Sequence, residues 1–357
     1  MTAFAKFPDG VDVPEAAFRV LAKFAPEGDL DVFASDQHNS YLKLTNSFLK
    51  HTGQSRQAGD NDVAEVCRRF ARGLAGNSAA ALFNHLAFRS PGFRKMLGEN
   101  VMLIGRLEDT NTRSVDGGRG QVAQLAVNPE DAAHEVDAFK TLVKLNPQHP
   151  SSWRENRDWL AGVFERCQKL GKPLFNETLI FELPGESKVD MAKRLPDAVV
   201  RMAEDFSPLG TFYKTQVPTL WVEDHGSIRV VSSPQFVRDA ASAMAQVVKR
   251  PMLLLSAAVD FEQYSAQYGI VCDLVAGPMC GRAYFKEAFA DPATKDWDSL
   301  EQSFRRIALP RIAQIRALAR AVSRPWWHAF SSMTPAAKAL IRTERKPLPG
   351  VKADFGY

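Results

Sequence analysis

Short apolar runs alternate with longer stretches of helical periodicity along most of the chain. The runs are rich in aliphatic, β-branched and aromatic residues, a composition typical of buried strands. We predict strands at 31–36, 79–83, 101–107, 139–145, 173–183, 211–217, 251–259 and 274–280. Apolar residues at helical spacing predict helices at 151–171 (which ends in a glycine), 189–205, 233–250 and 300–322. Strands that alternate with helices predict a parallel sheet covered by helices.

The number of these strand–helix units decides between two parallel architectures. Eight predicted strands in 357 residues favour a (β/α)8 TIM barrel over an open, doubly wound sheet. We expect one barrel domain over 1–357, with a core at about 30–330 and extensions at both ends. Neither a G-x-G-x-x-G motif after a strand nor a P-loop motif occurs, so the usual nucleotide-binding signatures are missing.

Composition and charge restrict the class of protein and of partner. The chain is 45% hydrophobic and 24% charged, as in ordinary globular proteins. Its longest apolar runs are too short to cross a bilayer, and the N-terminus lacks a signal-peptide pattern, so we expect a cytoplasmic protein without membrane contact. The four cysteines form no C-x-x-C pair, which predicts reduced thiols. A net charge of +4 without a Lys/Arg block suits a small anionic ligand and does not indicate nucleic acid.

Charged residues interrupt four of the predicted strands. Asp36 ends the first strand, and Lys140 and Lys144 lie on one face of the fourth. Glu177 and Lys214 lie inside the fifth and the sixth. Each residue alone is most simply a structural ion pair or a solvent-facing strand end. Because all strands of a barrel open at the same end, we predict that the set converges in one pocket.

This combination of residue types suits Schiff-base chemistry. A lysine among other cations and apolar walls loses its proton more readily, and its neutral amine then attacks a ketone. The resulting iminium accepts the electron pair of the neighbouring carbon–carbon bond. Nearby carboxylates move protons during dehydration and take the proton of the substrate hydroxyl, while a second lysine stabilises developing oxyanions.

The last two predicted strands add a candidate anion site. Ser256 and the amides of Ala257 and Ala258 lie at the end of the seventh strand, and Gly281 and Arg282 follow the eighth. In TIM barrels these loops commonly bind phosphate, and arginine is its bidentate partner. We therefore predict a phosphate site here, with a plain tight turn beside a surface arginine as the alternative.

Seven segments recur in the order of a known family. They are "ASDQ" (34–37), "AFKTLVKLN" (138–146), "PLFNETLIFE" (173–182), "FYKTQVP" (212–218), "LLLSAAV" (253–259), "CGRAYFKEA" (280–288) and "AVSRPW" (321–326). In order and separation they resemble the class I aldolases related to bacterial tagatose 1,6-bisphosphate aldolase, which include the sulfofructose-phosphate aldolases. The resemblance covers about residues 30 to 330.

The resemblance implies a barrel that cleaves a phosphorylated ketose by metal-free Schiff-base catalysis, without a cofactor, and releases dihydroxyacetone phosphate and an aldehyde. By position, Lys214 resembles the Schiff-base lysine, and Glu177 resembles the glutamate that serves as acid and base. Lys140 and Asp36 resemble the lysine of strand four and the aspartate of strand one.

The resemblance also implies where the substrate ends lie. Ser256 and Arg282 resemble the phosphate ligands at the dihydroxyacetone-phosphate end, and Gln37 and His38 are predicted to contact the substrate at the rim. His38 stands where relatives have an arginine, and Asp109 where they tend to have a lysine. These departures leave open whether the far end of the substrate carries a second phosphate.

Three other functions stay open at this point. A metal-dependent aldolase or hydrolase needs a cluster of histidines and carboxylates, but the seven histidines show neither H-x-H nor H-E-x-x-H spacing, and His225 is predicted to be a loop residue. A non-catalytic sugar-phosphate sensor would have no use for the four charged strand residues together. A transaldolase, or an aldolase for another keto sugar or keto acid, shares the lysine chemistry. The long C-terminal helix suits either the barrel exterior or a homo-oligomer interface.

Overall fold

Eight parallel strands close into a barrel. The computed structural model describes residues 2–74, 76–218, 221–224, 227–230, 233–257 and 259–345. The barrel strands are β1 (Val32–Ser35), β2 (Ala80–Phe83), β3 (Met102–Arg106), β4 (Ala138–Leu145), β5 (Leu174–Ile180), β6 (Phe212–Thr215), β7 (Met252–Leu254) and β8 (Gly277–Cys280). Each strand pairs with the next one along the chain, and β8 pairs with β1. The predicted (β/α)8 barrel is confirmed.

Helices cover the outside of this barrel and separate its strands. The α-helices are Glu15–Phe24, His38–His51, Asp60–Leu74, His85–Phe88, Phe93–Leu97, Pro129–Ala132, Pro150–Lys169, Lys188–Phe206, Pro234–Val247, Phe261–Val271, Arg282–Phe285, Trp297–Val322 and Pro335–Lys338. Outward-facing strand residues such as Phe33 and Tyr213 join helix residues such as Phe70 and Phe304 in one apolar cluster. None of the helices that the structure describes is long and apolar enough to span a membrane.

Several predicted elements are longer in the sequence pattern than in the structure, among them the seventh strand, the helix at 233–250 and the eighth strand. β7 ends at Leu254 instead of 259, because the chain turns at Ala257, whose φ is +46°. The helix predicted at 233–250 ends at Val247, and Arg250 then turns inward to donate to the carbonyl oxygen of Gly210 at 2.8 Å. β8 begins at Gly277 because a 3-10 turn occupies the preceding residues 272–274.

The interior of the barrel is divided into an apolar floor and a charged upper layer. Alternate residues of a strand face the same side, and the lower inward-facing positions are Val32, Ala34, Leu82, Met102, Ile104, Phe175, Phe212, Leu253 and Met279. The rings of Phe175 and Phe212 stack with centroids 4.7 Å apart. One inward position further along, β4, β5 and β6 carry Lys140, Glu177 and Lys214. The charges therefore stand on a low-dielectric floor.

Together, the two extensions cover the end of the barrel at which the strands begin. Strands Ala3–Lys6, Asp12–Pro14 and Ser332–Met333 form a small antiparallel sheet. Phe18 of the first helix packs on Trp326 at 5.3 Å between ring centroids, and both belong to the apolar cluster of the barrel floor. Residues 2–30 and 331–345 of these extensions thus seal the end of the barrel opposite the charged layer.

Two short hairpins complete the described structure. One consists of Arg113–Val115 and Gly120–Val122 and lies in the connection after β3. The other consists of Trp221–Asp224 and Ser227–Val230 and follows β6. Both follow the carboxyl end of a barrel strand, which is the end of the barrel where active sites of this architecture lie.

Candidate active site

A cavity of about 280 Å³ opens at the carboxyl ends of the barrel strands. Ten of the predicted site residues line it: Asp36, Gln37, His38, Lys140, Glu177, Lys214, Ser256, Ala257, Gly281 and Arg282. The chain brings them together from strands β1, β4, β5, β6, β7 and β8 or from the loops that follow these strands. Ala258 and His225 lie outside the described residues. The roles assigned to the residues of the cavity stay predictions.

Lys140 is the centre of a buried network of charges. Its Nζ donates to Asp36 Oδ2 at 2.9 Å and to Glu108 Oε1 at 2.7 Å, and it lies 2.8 Å from Glu177 Oε2. Burial opposes the charge of the ammonium group, but the three carboxylates outweigh it and raise the pKa of Lys140 above its ordinary value. Lys140 is therefore a permanent cation in the pocket.

Lys214 lies opposite Glu177 in the ladder between β5 and β6. Its Nζ donates to Glu177 Oε2 at 2.9 Å, and the residue is 3% exposed. The same oxygen of Glu177 also contacts Lys140 Nζ. Glu177 therefore lies between Lys214 and Lys140, the two lysines that the sequence places in one pocket. A proton on Lys214 consequently has an acceptor within hydrogen-bonding distance.

The carboxylates around Lys140 differ in their tendency to ionise. Burial raises the pKa of each one, but Lys140 and Lys214 outweigh burial at Glu177 and, together with Arg106, at Asp36, so both of these carboxyls have a pKa below the ordinary value. At Glu108 burial outweighs Lys140 and Arg106 and raises the pKa to about 7. Asp36 and Glu108, which both accept a hydrogen bond from Lys140, therefore differ widely in pKa.

Two buried residues of the site, Arg106 and Glu108, were not predicted from the sequence. Arg106 donates to the backbone carbonyl oxygen of Asp36 at 2.5 Å, and both missed residues are 4% exposed. The signal was available, because Ile104, Arg106 and Glu108 continue the same alternation of inward positions on β3 and just after it. The polar residues at the end of this strand belong to the same charged layer.

At the predicted phosphate site, the backbones of two strands pack closely and one arginine is held by a hydrogen bond. Arg282 Nη1 donates to the hydroxyl of Ser40 at 2.9 Å, a partner that the sequence analysis did not identify. A Cβ atom on Gly281 would lie 2.4 Å from the carbonyl oxygen of Ala34, so only glycine lets the end of β8 approach β1 this closely. Arg282 is partly buried, which argues against a plain surface arginine.

Further polar side chains line the rim of the cavity. His38 Nε2 lies 2.8 Å from Asp60 Oδ1, and its Nδ1 lies 3.1 Å from Asn39 Oδ1. Lys144 lines the cavity half-buried, and this burial lowers the pKa of its ammonium group. In the described ranges no group of three His, Cys, Asp or Glu side chains is arranged to hold a metal ion.

Comparison with known proteins identifies the fold. No family model and no curated protein matches the chain. Solved aldolase structures do. A fructose-bisphosphate aldolase from Plasmodium falciparum, solved with TRAP and a small-molecule inhibitor, is 14% identical with a TM-score of 0.65, over 91% of this chain and 99% of that one. An archaeal fructose 1,6-bisphosphate aldolase is 17% identical with a TM-score of 0.51, over 84% and 100%. At these identities the likeness is one of fold.

Proposed function

We propose that the chain is a metal-independent, Schiff-base aldolase that cleaves a phosphorylated ketose into dihydroxyacetone phosphate and an aldehyde. One observation carries the proposal: the buried Nζ of Lys214 lies 2.9 Å from a carboxylate at the open end of the barrel, over an apolar floor. The seven segments that resemble the tagatose 1,6-bisphosphate aldolase family and the aldolase titles of the structural neighbours support it.

Formation of the imine uses the contact between Lys214 and Glu177. Glu177 accepts a proton from the ammonium group, and the free amine adds to the substrate ketone. Glu177 then donates a proton to the carbinolamine hydroxyl, which leaves as water. Lys140 stays protonated throughout and holds Glu177 in place through a contact of 2.8 Å.

Cleavage follows from the iminium. A carboxylate takes the proton of the hydroxyl on the neighbouring carbon, the carbon–carbon bond breaks, and its electron pair moves into the iminium to give an enamine. The aldehyde leaves through the open end of the barrel, and protonation and hydrolysis of the enamine release the second product. Lys140 and Arg106 stabilise negative charge on the reacting oxygen atoms.

The phosphate of the dihydroxyacetone moiety is assigned to the predicted phosphate site. Ser256, Ala257 and Gly281 offer small side chains and backbone amides, and Arg282 offers a guanidinium group. The direct test of the function is release of dihydroxyacetone phosphate from a panel of phosphorylated ketoses in the presence of EDTA. Release that survives the chelator supports the proposal, and a failure to release this product from every ketose in the panel contradicts it.

Arg282→Met is expected to weaken binding of dihydroxyacetone phosphate by about 10- to 100-fold, because a charge-assisted hydrogen bond is worth roughly 1.5–3 kcal/mol. The measurement is the concentration dependence of borohydride trapping. Unphosphorylated dihydroxyacetone is the matched ligand and is expected to bind the variant as it binds the wild type. Arg157→Met, at an exposed helix position, is the control. Equal losses for both ligands would show that Arg282 does not recognise the phosphate.

A further inference from the structure

One carboxylate oxygen in the cavity has no partner. Glu108 lines the cavity, and its Oε1 accepts from Lys140 at 2.7 Å. Its Oε2 is buried and has no hydrogen-bond donor among the residues that the structure describes. A buried acceptor without a donor costs about 1–3 kcal/mol. A hydroxyl group of a ligand in the cavity is the natural donor for this oxygen.

The backbone fixes the position of this side chain on both sides. The N–H of Leu107 donates to the carbonyl oxygen of Lys140 at 2.9 Å, and the N–H of Asp109 donates to that of Gln124 at 2.8 Å. Glu108 itself forms a β-bridge with Leu125. The carboxylate is therefore held by the barrel and by the connection after β3, as preorganised acid–base groups are.

The other carboxylates of the cluster are less suited to accept a substrate proton. Asp36 is held ionised by three neighbouring cations, which makes it a weak base. Glu177 Oε2 contacts both Lys140 and Lys214, and Glu177 is assigned to proton transfer during imine formation. A general base is most effective when its pKa lies near the working pH, and the pKa of Glu108 is raised to about 7.

We propose that Glu108 is a further catalytic residue, the general base that takes the proton from the substrate hydroxyl as the carbon–carbon bond breaks. The proton moves to Glu108 Oε2, the O–H electron pair forms the carbonyl of the leaving aldehyde, and the electrons of the broken bond form the enamine. In the reverse reaction Glu108 returns the proton to the aldehyde oxygen. The inference rests on the proposed Schiff-base function and needs no additional reactant.

The charged groups that act on Glu108 come from two strands and one loop. Lys140 and Lys144 belong to β4, Arg106 belongs to β3, and Asp36 follows β1. A base acts in its deprotonated form. We therefore expect kcat/KM for cleavage to rise with pH through about 7 and then to level off.

The test separates cleavage from imine formation. With Glu108→Gln we expect cleavage of the phosphorylated ketose that the wild-type protein cleaves fastest in the panel, and the reverse condensation of its two products, to fall by about 10²- to 10⁴-fold. Borohydride trapping of dihydroxyacetone phosphate, and exchange of its carbon-bound hydrogen with D₂O, should keep the wild-type rate, because neither needs the hydroxyl base. The rise in kcat/KM near neutral pH should disappear, and Glu108→Asp should restore part of the activity.

Glu165→Gln, at an exposed helix position, is the matched control. The proposal is overturned if Glu108→Gln cleaves at the wild-type rate with its pH dependence intact, or if trapping, exchange and cleavage fall together. Trapping that is absent from the wild-type protein overturns the Schiff-base function itself. The two failures are therefore distinguishable.

Discussion

Lys214→Met is expected to lower the release of dihydroxyacetone phosphate by a factor on the order of 10⁴ or more, the range seen when a nucleophile is removed from an enzyme. The thioether of methionine cannot form an imine with the substrate, so cleavage through the iminium cannot occur in this variant. Methionine is close to lysine in length and fills the space over the apolar floor. The variant should therefore fold, and circular dichroism and the urea midpoint check that it does.

Lys169→Met is the matched control, since Lys169 is an exposed residue near the end of its helix. It should release product at the wild-type rate. If Lys214→Met retains a substantial part of the activity while remaining folded, the nucleophile is another residue and the assignment of Lys214 is wrong.

Lys140→Met is expected to have the largest effect on stability. Removal of this ammonium group leaves Asp36, Glu108 and Glu177 buried without their shared donor. Breaking a buried ion pair from one side costs about 3–5 kcal/mol. We expect a loss of this size in the free energy of unfolding at neutral pH, together with loss of cleavage, because the carboxylates are no longer held in position.

The pH dependence of this loss has a defined sign. Without Lys140 the pKa values of the three carboxyls rise in the folded variant, so it takes up protons at a higher pH than its unfolded chain does. The destabilisation is therefore largest at neutral pH and shrinks toward about pH 5. Urea unfolding of Lys140→Met, wild type and the exposed-site control Lys193→Met measures it. A destabilisation that grows on acidification would contradict the network.

Much of the barrel is predictable because its pattern is local. The strand runs around residues 31–36, 79–83 and 101–107 each match an observed strand to within one residue at either end. β7 is shorter than its apolar run. The N–H of Leu255 still donates to the carbonyl oxygen of Thr215 at 2.9 Å, but Ser256 and Ala257 lie beyond the ladder and line the cavity. The pattern shows which residues are buried but not whether they are hydrogen-bonded to a neighbouring strand.

The convergence of the site is predictable for the same reason, whereas its electrostatics are not. The period-two alternation places Lys140, Glu177 and Lys214 on inward faces at one end of the barrel. The sharing of one Glu177 oxygen by both lysines depends on distances of a few tenths of an ångström. The contrast between Asp36 and Glu108 depends on the balance between burial and nearby cations, which no sequence pattern encodes.

The packing of the two extensions on each other could not be predicted from the sequence. Phe18 and Trp326 are more than three hundred residues apart in the chain, yet their rings lie 5.3 Å apart at the closed end of the barrel. Neither segment has a repeated pattern that connects it to the other. Their role in sealing the barrel appears only when the long-range packing is known.

The most direct test of the central claim is to locate the covalent intermediate. The wild-type protein is incubated with dihydroxyacetone phosphate and sodium borohydride, digested, and mapped by mass spectrometry. We expect one reduced adduct, on the peptide that contains Lys214, and its disappearance in Lys214→Met. No adduct, or adducts spread equally over exposed lysines such as Lys169, would contradict it.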